Sequence, residues 1–342
     1  MNSSINSKYI QPKTKEIDVE EYVHKILSGD RVFLSKAITL TESTKEEHRE
    51  KAGEIVEKCL PFSGKSIRIG ITGIPGVGKS TFIDNFGAFL VDKGKKLAVL
   101  AIDPSSVKTG GSILGDKTRM EKLTLLDEVY VRPSPSGGNL GGVAKSTHEA
   151  IILCEAAGFD TIFVETVGVG QSEIVVNYLV DFFLLLIIAG AGDELQGIKR
   201  GIMEMADAVL INKADGENLE KSKNAKAEFT KAMHYFSESD SGWSSKVEIC
   251  SATTGFNLDK VWDIIKNYET YSKANNYFNK KREEQNAYWL YQTIEDELKN
   301  KFYHNNKVID LIKKIEKEVK SNMISSFEAG KKIIKIFTQN NK

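Results

Sequence analysis

The residues Gly73-Ile74-Pro75-Gly76-Val77-Gly78-Lys79-Ser80 spell G-x-x-x-x-G-K-S, a pattern that demands a strand before it and a helix after it. The flanks supply both. Ser66 to Thr72 (SIRIGIT) is a short run rich in β-branched residues, and Thr81 to Val91 (TFIDNFGAFLV) is an apolar stretch of helical length. Glycines in such a turn let backbone N–H groups curl around a polyphosphate, and the helix N-terminus adds the positive end of its dipole. Lys79 is expected to reach the β- and γ-phosphates and Ser80 to hold Mg²⁺ through its hydroxyl, with Thr81 beside them. The alternative, a chance glycine turn, would not bring strand and helix with it.

A second motif selects the base. Asn212-Lys213-Ala214-Asp215 reads N-K-x-D directly after a short apolar strand, Ala208 to Ile211. In that element the Asp carboxylate accepts from the N1 and N2 hydrogens of guanine, a pattern adenine lacks, while the lysine lies along the base and the asparagine ties loops together. A buried polar reader of this kind strongly disfavours a mismatched base. Ser251-Ala252, after the strand Lys246 to Cys250, resembles the second guanine loop of GTPases. An ordinary helix start with Asp215 near its N-cap is the competing reading. Standing behind a phosphate loop and ahead of Ser251-Ala252, the motif favours GTP over ATP.

Between these motifs lie acids at or just beyond strand ends: Asp103, Asp116 and Glu165. Mg²⁺ takes oxygen ligands and keeps several waters, so one or two of these acids suffice to complete its shell. Solvated loop carboxylates are the plain alternative, as is Asp103 capping a turn before Pro104. Glu165-Thr166-Val167-Gly168 stands where many GTPases have D-x-x-G, so the Gly168 N–H is placed to sense the γ-phosphate. Glu replaces Asp there, and Gln171 falls three residues after Gly168. Asp193, Gln196 and Lys199, in the glycine-rich segment 190–197 and just past it, read either as partner contacts or as ordinary surface charges.

Strands alternate with helices from Lys65 to about Tyr268, the mark of a parallel sheet covered on both faces. The expected fold class is α/β: a P-loop NTPase with a mostly parallel sheet. Residues 1–64 read as a polar tail and a helical subdomain, 65–270 as the GTPase domain and 271–342 as a helical arm. Within the first, Asp18 opens a helix and Ser43 with Glu46 suggests a capping box. Within the last, Leu290, Ile294 and Leu298 recur every fourth residue, and these helices must pack on the nucleotide domain, on one another or on a second copy. A homodimerisation arm is the preferred reading.

Composition narrows the partners. Lys plus Arg equals Asp plus Glu at 47 each, which argues against a nucleic-acid binder driven by overall charge. The longest apolar run, Phe182 to Ala191, is too short to span a bilayer and reads as a buried parallel strand. The start of the chain has no apolar core of a signal peptide. Cys59, Cys154 and Cys250 are far apart, so neither a disulfide framework nor a zinc site is expected. A cytoplasmic protein without membrane partners is the expectation.

The stretches GITGIPGVGKST (70–81), AIDPSSVKTGGSILGDKTRM (101–120), GGNLGGVA (137–144), FVETVGVGQSE (163–173), AGDELQGIKRGIMEMAD (191–207) and NKAD (212–215) closely resemble the MeaB/ArgK/MMAA-type GTPases in sequence, order and spacing. These are auxiliary proteins of adenosylcobalamin-dependent methylmalonyl-CoA mutase and related acyl-CoA mutases. The resemblance implies a homodimeric GTPase, slow alone and accelerated by its mutase, that gates cofactor loading and protects or rescues the mutase. It implies Lys79 and Ser80 as phosphate-loop ligands, with Asp103, Asp116 and Glu165 around Mg²⁺. It also implies that residues 191–199 form a switch loop with Gln196 and Lys199 as working residues. One departure is Ala189, where many relatives carry proline. Two rivals stay in view: a GTPase metallochaperone for nickel enzymes, and a P-loop kinase of a transport protein.

Overall fold

A computed structural model describes residues 18–102, 120–133, 140–166, 172–190, 200–234 and 240–340. The chain divides into two compact units, the first running to Asn279 and the second starting at Lys280. Among the described residues the first unit opens with helices α1 (Val19–Leu27), α2 (Arg31–Thr41) and α3 (Glu46–Cys59). Strands and helices then alternate: β1 (Ile67–Gly73), α4 (Lys79–Asp92), β2 (Leu97–Ile102), β3 (Val129–Arg132), α5 (Leu140–Ala156), β4 (Thr161–Thr166) and α6 (Ser172–Asn177). They continue with β5 (Phe182–Ile188), α7 (Arg200–Met205), β6 (Ala208–Asn212), α8 (Asn218–Met233), β7 (Lys246–Ile249) and α9 (Leu258–Ala274).

The seven strands form one sheet in the order β3-β2-β4-β1-β5-β6-β7, and every neighbouring pair is parallel. The expected α/β class therefore holds. β1 is central and buried from Ile67 to Gly73, with three isoleucines on one face and Arg68, Gly70 and Thr72 on the other, and β5 beside it is buried almost throughout. The Phe182 run is thus a sheet strand, as its length requires. Phe82 and Phe86 of α4 stack on each other at 5.1 Å, and Phe86 stacks on Phe163 of β4 at 5.7 Å. These rings fix α4, and the phosphate loop ahead of it, to the sheet.

The N-terminal helices bury Val23, Ile26, Leu34, Ile38, Ala52 and Ile55, and α2 and α3 pack on α5. Asp18 caps α1 by accepting from the N–H groups of Glu20 and Glu21 at 3.0 and 3.2 Å. The expected Ser43–Glu46 capping box does not form. Lys45 stays extended (φ −75°, ψ 129°), so Glu46 is the first helical residue and too close to reach back. Ser43 Oγ instead accepts from the Lys45 N–H at 3.3 Å and bonds His48 Nδ1 at 3.0 Å. α3 gives way at Leu60 to a single 3₁₀ turn, Leu60–Phe62, at Pro61.

Beneath α5 lies a buried ion pair. Arg68 donates to both oxygens of Glu155 at 2.9 Å, joined by Ser66 Oγ at 2.6 Å and the Gly64 N–H at 2.7 Å. Burial pushes the Glu155 carboxyl up, but the charge and hydrogen bonds of Arg68, with Ser66 and Gly64, outweigh it and leave it below its ordinary 4.5. This pair stabilises the fold above that value and loses its contribution as pH falls through the lowered one.

Two neighbours on α5 work against each other. Burial, aided by the Arg68 charge and opposed by Glu155, brings His148 down from 6.5 to about 4. Between those values the unfolded chain takes a proton the folded chain refuses, so stability falls on acidification. Burial raises Glu149 from 4.5 to about 7 against the charges of Lys145 and Arg49; there the folded chain holds the extra proton, so stability rises on acidification. The two effects offset each other between 6.5 and 4.5. His148→Gln is expected to unmask Glu149: urea unfolding should show the variant gaining on the order of 1–2 kcal/mol from pH 7 to pH 5 relative to wild type. Identical pH profiles would mean that His148 is not held neutral.

The second unit, with the end of the first, is helical: α10 (Tyr277–Tyr303), α11 (Asn306–Lys320) and α12 (Ser326–Asn340). Asn305 caps α11 through the Lys307 and Val308 N–H groups, and Ser325 accepts from the Glu328 N–H at 3.2 Å. Phe302 meets Phe337 edge-on at 5.0 Å. Leu290, Ile294 and Leu298 are exposed.

Candidate functional site

β1, β4, β5 and β6 all deliver their carboxyl ends to one edge of the sheet, where open α/β folds bind ligands. β1 ends in the glycine turn. Gly73 has φ +152°, and a Cβ there would stand 2.4 Å from the Leu186 carbonyl oxygen of β5, so no larger residue fits without moving the central strands. Gly76 and Gly78 also adopt positive φ, and a Cβ on Gly78 would lie 3.0 Å from Asn212 Nδ2. Val77 is wholly buried, while Pro75, Gly76 and Thr81 are exposed and Ile74, Lys79 and Ser80 are half-buried. Lys79 Nζ arches over the turn and donates to the Gly73 and Ile74 carbonyls at 2.7 and 3.3 Å.

The second motif is latched to the first. Asn212 Nδ2 donates to the Val77 carbonyl at 3.0 Å, and Lys213 Nζ to the Gly76 carbonyl at 2.9 Å. Asn212 Oδ1 accepts from the Ala252 N–H at 3.2 Å, and the Cys250 thiol lies 3.8 Å from the same oxygen. One buried amide therefore ties three loops together. Lys213 sits at φ 60°, a left-handed conformation rare outside glycine and frequent at functional sites. Ser251 Oγ donates to Asp215 Oδ2 and accepts from the Thr254 N–H at 3.2 Å, which leaves the other Asp215 oxygen outside that bond.

On the other side of β1, Ser80 Oγ donates to Glu165 Oε1 at 3.3 Å. A hydroxyl and a buried carboxylate at the helix start form a hard-oxygen pair that suits a small divalent cation. Among the described residues no group of three His, Cys, Asp or Glu side chains could hold a metal, so a cation here would need further oxygens from phosphate and water. Asp103, Asp116, Gly168, Gln196 and Lys199, with Asp193 and Gln171, lie outside the described residues.

The segments bordering residues 103–119 are anchored. β2 ends at Ile102, and the chain re-enters with Met120 and Leu123 in the core. There Asp84 Oδ1 of α4 accepts from the Leu123 N–H at 2.9 Å, and Lys122 Nζ donates to Asn85 Oδ1 at 2.6 Å. Sequence reading passed over these anchors, and over Cys250 as a partner of Asn212, because neither carries a motif; only strand order reveals them.

Residues 34–307 match the family described as methylmalonyl Co-A mutase-associated GTPase MeaB. The GTPase ArgK of Escherichia coli is 41% identical across 91% of this chain and 94% of its own length. The mitochondrial methylmalonic aciduria type A homolog of Mus musculus is 41% identical across 91% of this chain and 78% of its own. Among solved structures, a LAO/AO transport system kinase aligns with a TM-score of 0.73 at 33% identity, covering 95% of this chain and 99% of that one.

Proposed function

The chain belongs to the MeaB family of mutase-associated GTPases, and from this premise we propose that it binds and hydrolyses GTP to gate adenosylcobalamin loading, and to protect or reactivate methylmalonyl-CoA mutase or a related acyl-CoA mutase. The observation that carries the nucleotide part is the latch of Asn212 and Lys213 onto the phosphate loop. A base reader bonded to the phosphate cradle presents Asp215 at a fixed distance from it, so guanine and polyphosphate are recognised as one ligand.

In this reading the backbone N–H groups of Gly76 to Ser80 and the Lys79 ammonium cradle the phosphates. Asp215 accepts from guanine, and Ser251 holds its carboxylate. Ser80 and Glu165 would hold Mg²⁺, which neutralises phosphate charge when bound. Phosphoryl transfer depends mainly on positioning and charge neutralisation. Gly168 then senses the γ-phosphate, and Gln196 and Lys199 act on the nucleotide when the partner is bound. Asp103 and Asp116 are further candidates for the ion. The exposed stripe Leu290, Ile294 and Leu298 supports a homodimer through the second unit. No helix among the described residues is long and apolar enough to cross a membrane.

GTP and ATP turnover by the purified protein, each with and without methylmalonyl-CoA mutase, tests this. Slow GTP hydrolysis that rises with the mutase, and indifference to ATP, is the expected result. Turnover unmoved by that mutase would point to another client. The similarity to a LAO/AO transport system kinase supports a second reading, for which label from the γ-phosphate must reach an acceptor other than water.

A further inference from the structure

β1 and β4 pair in register from Ile67↔Thr161 to Ile71↔Glu165. One step further on, each strand is still held on its outer side, Thr72 opposite Leu185 of β5 and Thr166 opposite Ile102 of β2. Here β1 runs into the phosphate loop and β4 ends, and between the two strands Thr166 Oγ1 donates to Thr72 Oγ1 at 2.8 Å. Both threonines have no solvent exposure, so the bond is made away from competing water.

Side chains alternate along a strand. Glu165 accordingly faces α4 and meets Ser80 at 3.3 Å, while the threonine pair lies directly behind it. It shares the face of Gly70, whose missing Cβ points toward Val176 and Val180. A one-step change in strand separation at this point is a change in the Ser80–Glu165 gap.

We infer that the Thr72–Thr166 hydroxyl pair is a positioning clamp, setting the spacing of Ser80 and Glu165 and hence the divalent-cation dependence of nucleotide binding. Neither threonine touches nucleotide; each acts through the residue that follows or precedes it. The inference rests on the GTPase reading above and adds to it a role for two residues, Thr72 beside the phosphate loop and Thr166 in a variable position of the Glu165-x-x-Gly168 motif, that neither motif specifies.

The test is a pair of substitutions with opposite signatures. Thr72→Val with Thr166→Val removes both hydroxyls and keeps the shape, so no buried polar atom is left unpaired and the melting temperature should stay close to wild type. Release of a fluorescent GDP is then followed against Mg²⁺ concentration. In the double variant the half-maximal Mg²⁺ concentration should rise roughly tenfold, a coupling of about 1.4 kcal/mol, with GDP affinity in EDTA unchanged. Thr166→Ser keeps the hydroxyl and loses a packed methyl; it should melt earlier yet keep the wild-type Mg²⁺ dependence. The inference is overturned if the valine pair keeps the wild-type half-point, or if the serine variant shifts it as far as the valine pair. If the valine pair fails to fold, Thr72→Val alone, which removes one hydroxyl of the pair, takes its place in the same comparison with the serine variant. Failure of wild type to bind guanine nucleotide would instead remove the underlying reading, and is seen before any variant is made.

Discussion

Lys79→Ala is expected to lower single-turnover GTP hydrolysis by on the order of a thousandfold while leaving the fold intact. The ammonium lies over the turn and donates to two of its carbonyls, Gly73 and Ile74. Removing it deletes charge where the transferred phosphoryl group gathers negative charge, an effect confined to turnover and nucleotide binding. Thermal melting should move little, because α4 is held by Phe82, Phe86 and Leu90, all fully buried. Lys79→Arg should not restore activity, since a planar fork cannot replace a compact ammonium above so tight a turn. A Lys79→Ala protein that hydrolyses GTP within tenfold of wild type would move the phosphate-binding charge elsewhere.

The second large effect concerns the base. Asp215→Asn replaces an acceptor pair with one acceptor and one donor, and the donor faces the hydrogens of guanine. Loss of two charge-assisted bonds and the new mismatch should weaken GDP and GTP binding by about a hundred- to a thousandfold. Binding of ATP should not weaken, so selectivity collapses from the GTP side. Ser251 still finds an acceptor in the asparagine oxygen, so the loop 251–256, closed by the Ser251 N–H on the Phe256 carbonyl at 3.1 Å, should persist. Calorimetry with GDP and ADP on both proteins is the direct measurement. Unchanged GDP affinity would mean that another group reads guanine.

These effects can be argued because the phosphate loop and the N-K-A-D loop were legible before any coordinates. Each is a short segment whose backbone geometry restricts its residues: Gly73 because of the Leu186 carbonyl, Asn212 because of the Val77 carbonyl. The strands were legible for a similar reason, since runs such as Phe182–Ile188 have no other stable place than a buried sheet. What stayed hidden was adjacency. Nothing in the order of segments says that β1 lies between β4 and β5, and so the Thr72–Thr166 bond and the Cys250–Asn212 contact had no signal. Local chemistry also misled once: Ser43 and Glu46 have capping-box spacing, yet the extended Lys45 starts the helix two residues too late for it. The periodic stripe on α10 stands exposed, and periodicity alone does not name a partner for it.

The central position of β1 has a consequence for how the protein is made. The glycine turn is complete in the nascent chain once residue 80 has been synthesised, yet the strands that border β1 end only at Thr166 and Ile188, and the latch on the turn comes from Asn212. Domains assemble as units during synthesis, and parallel pairing must wait for its distant partner. A ribosome-bound chain that has exposed only the first half of the sheet thus carries the whole phosphate motif without a site to display it. Nucleotide cannot assist the early steps of folding; it can only reward the last ones, when the segment around Asn212 to Ser251 has left the exit tunnel.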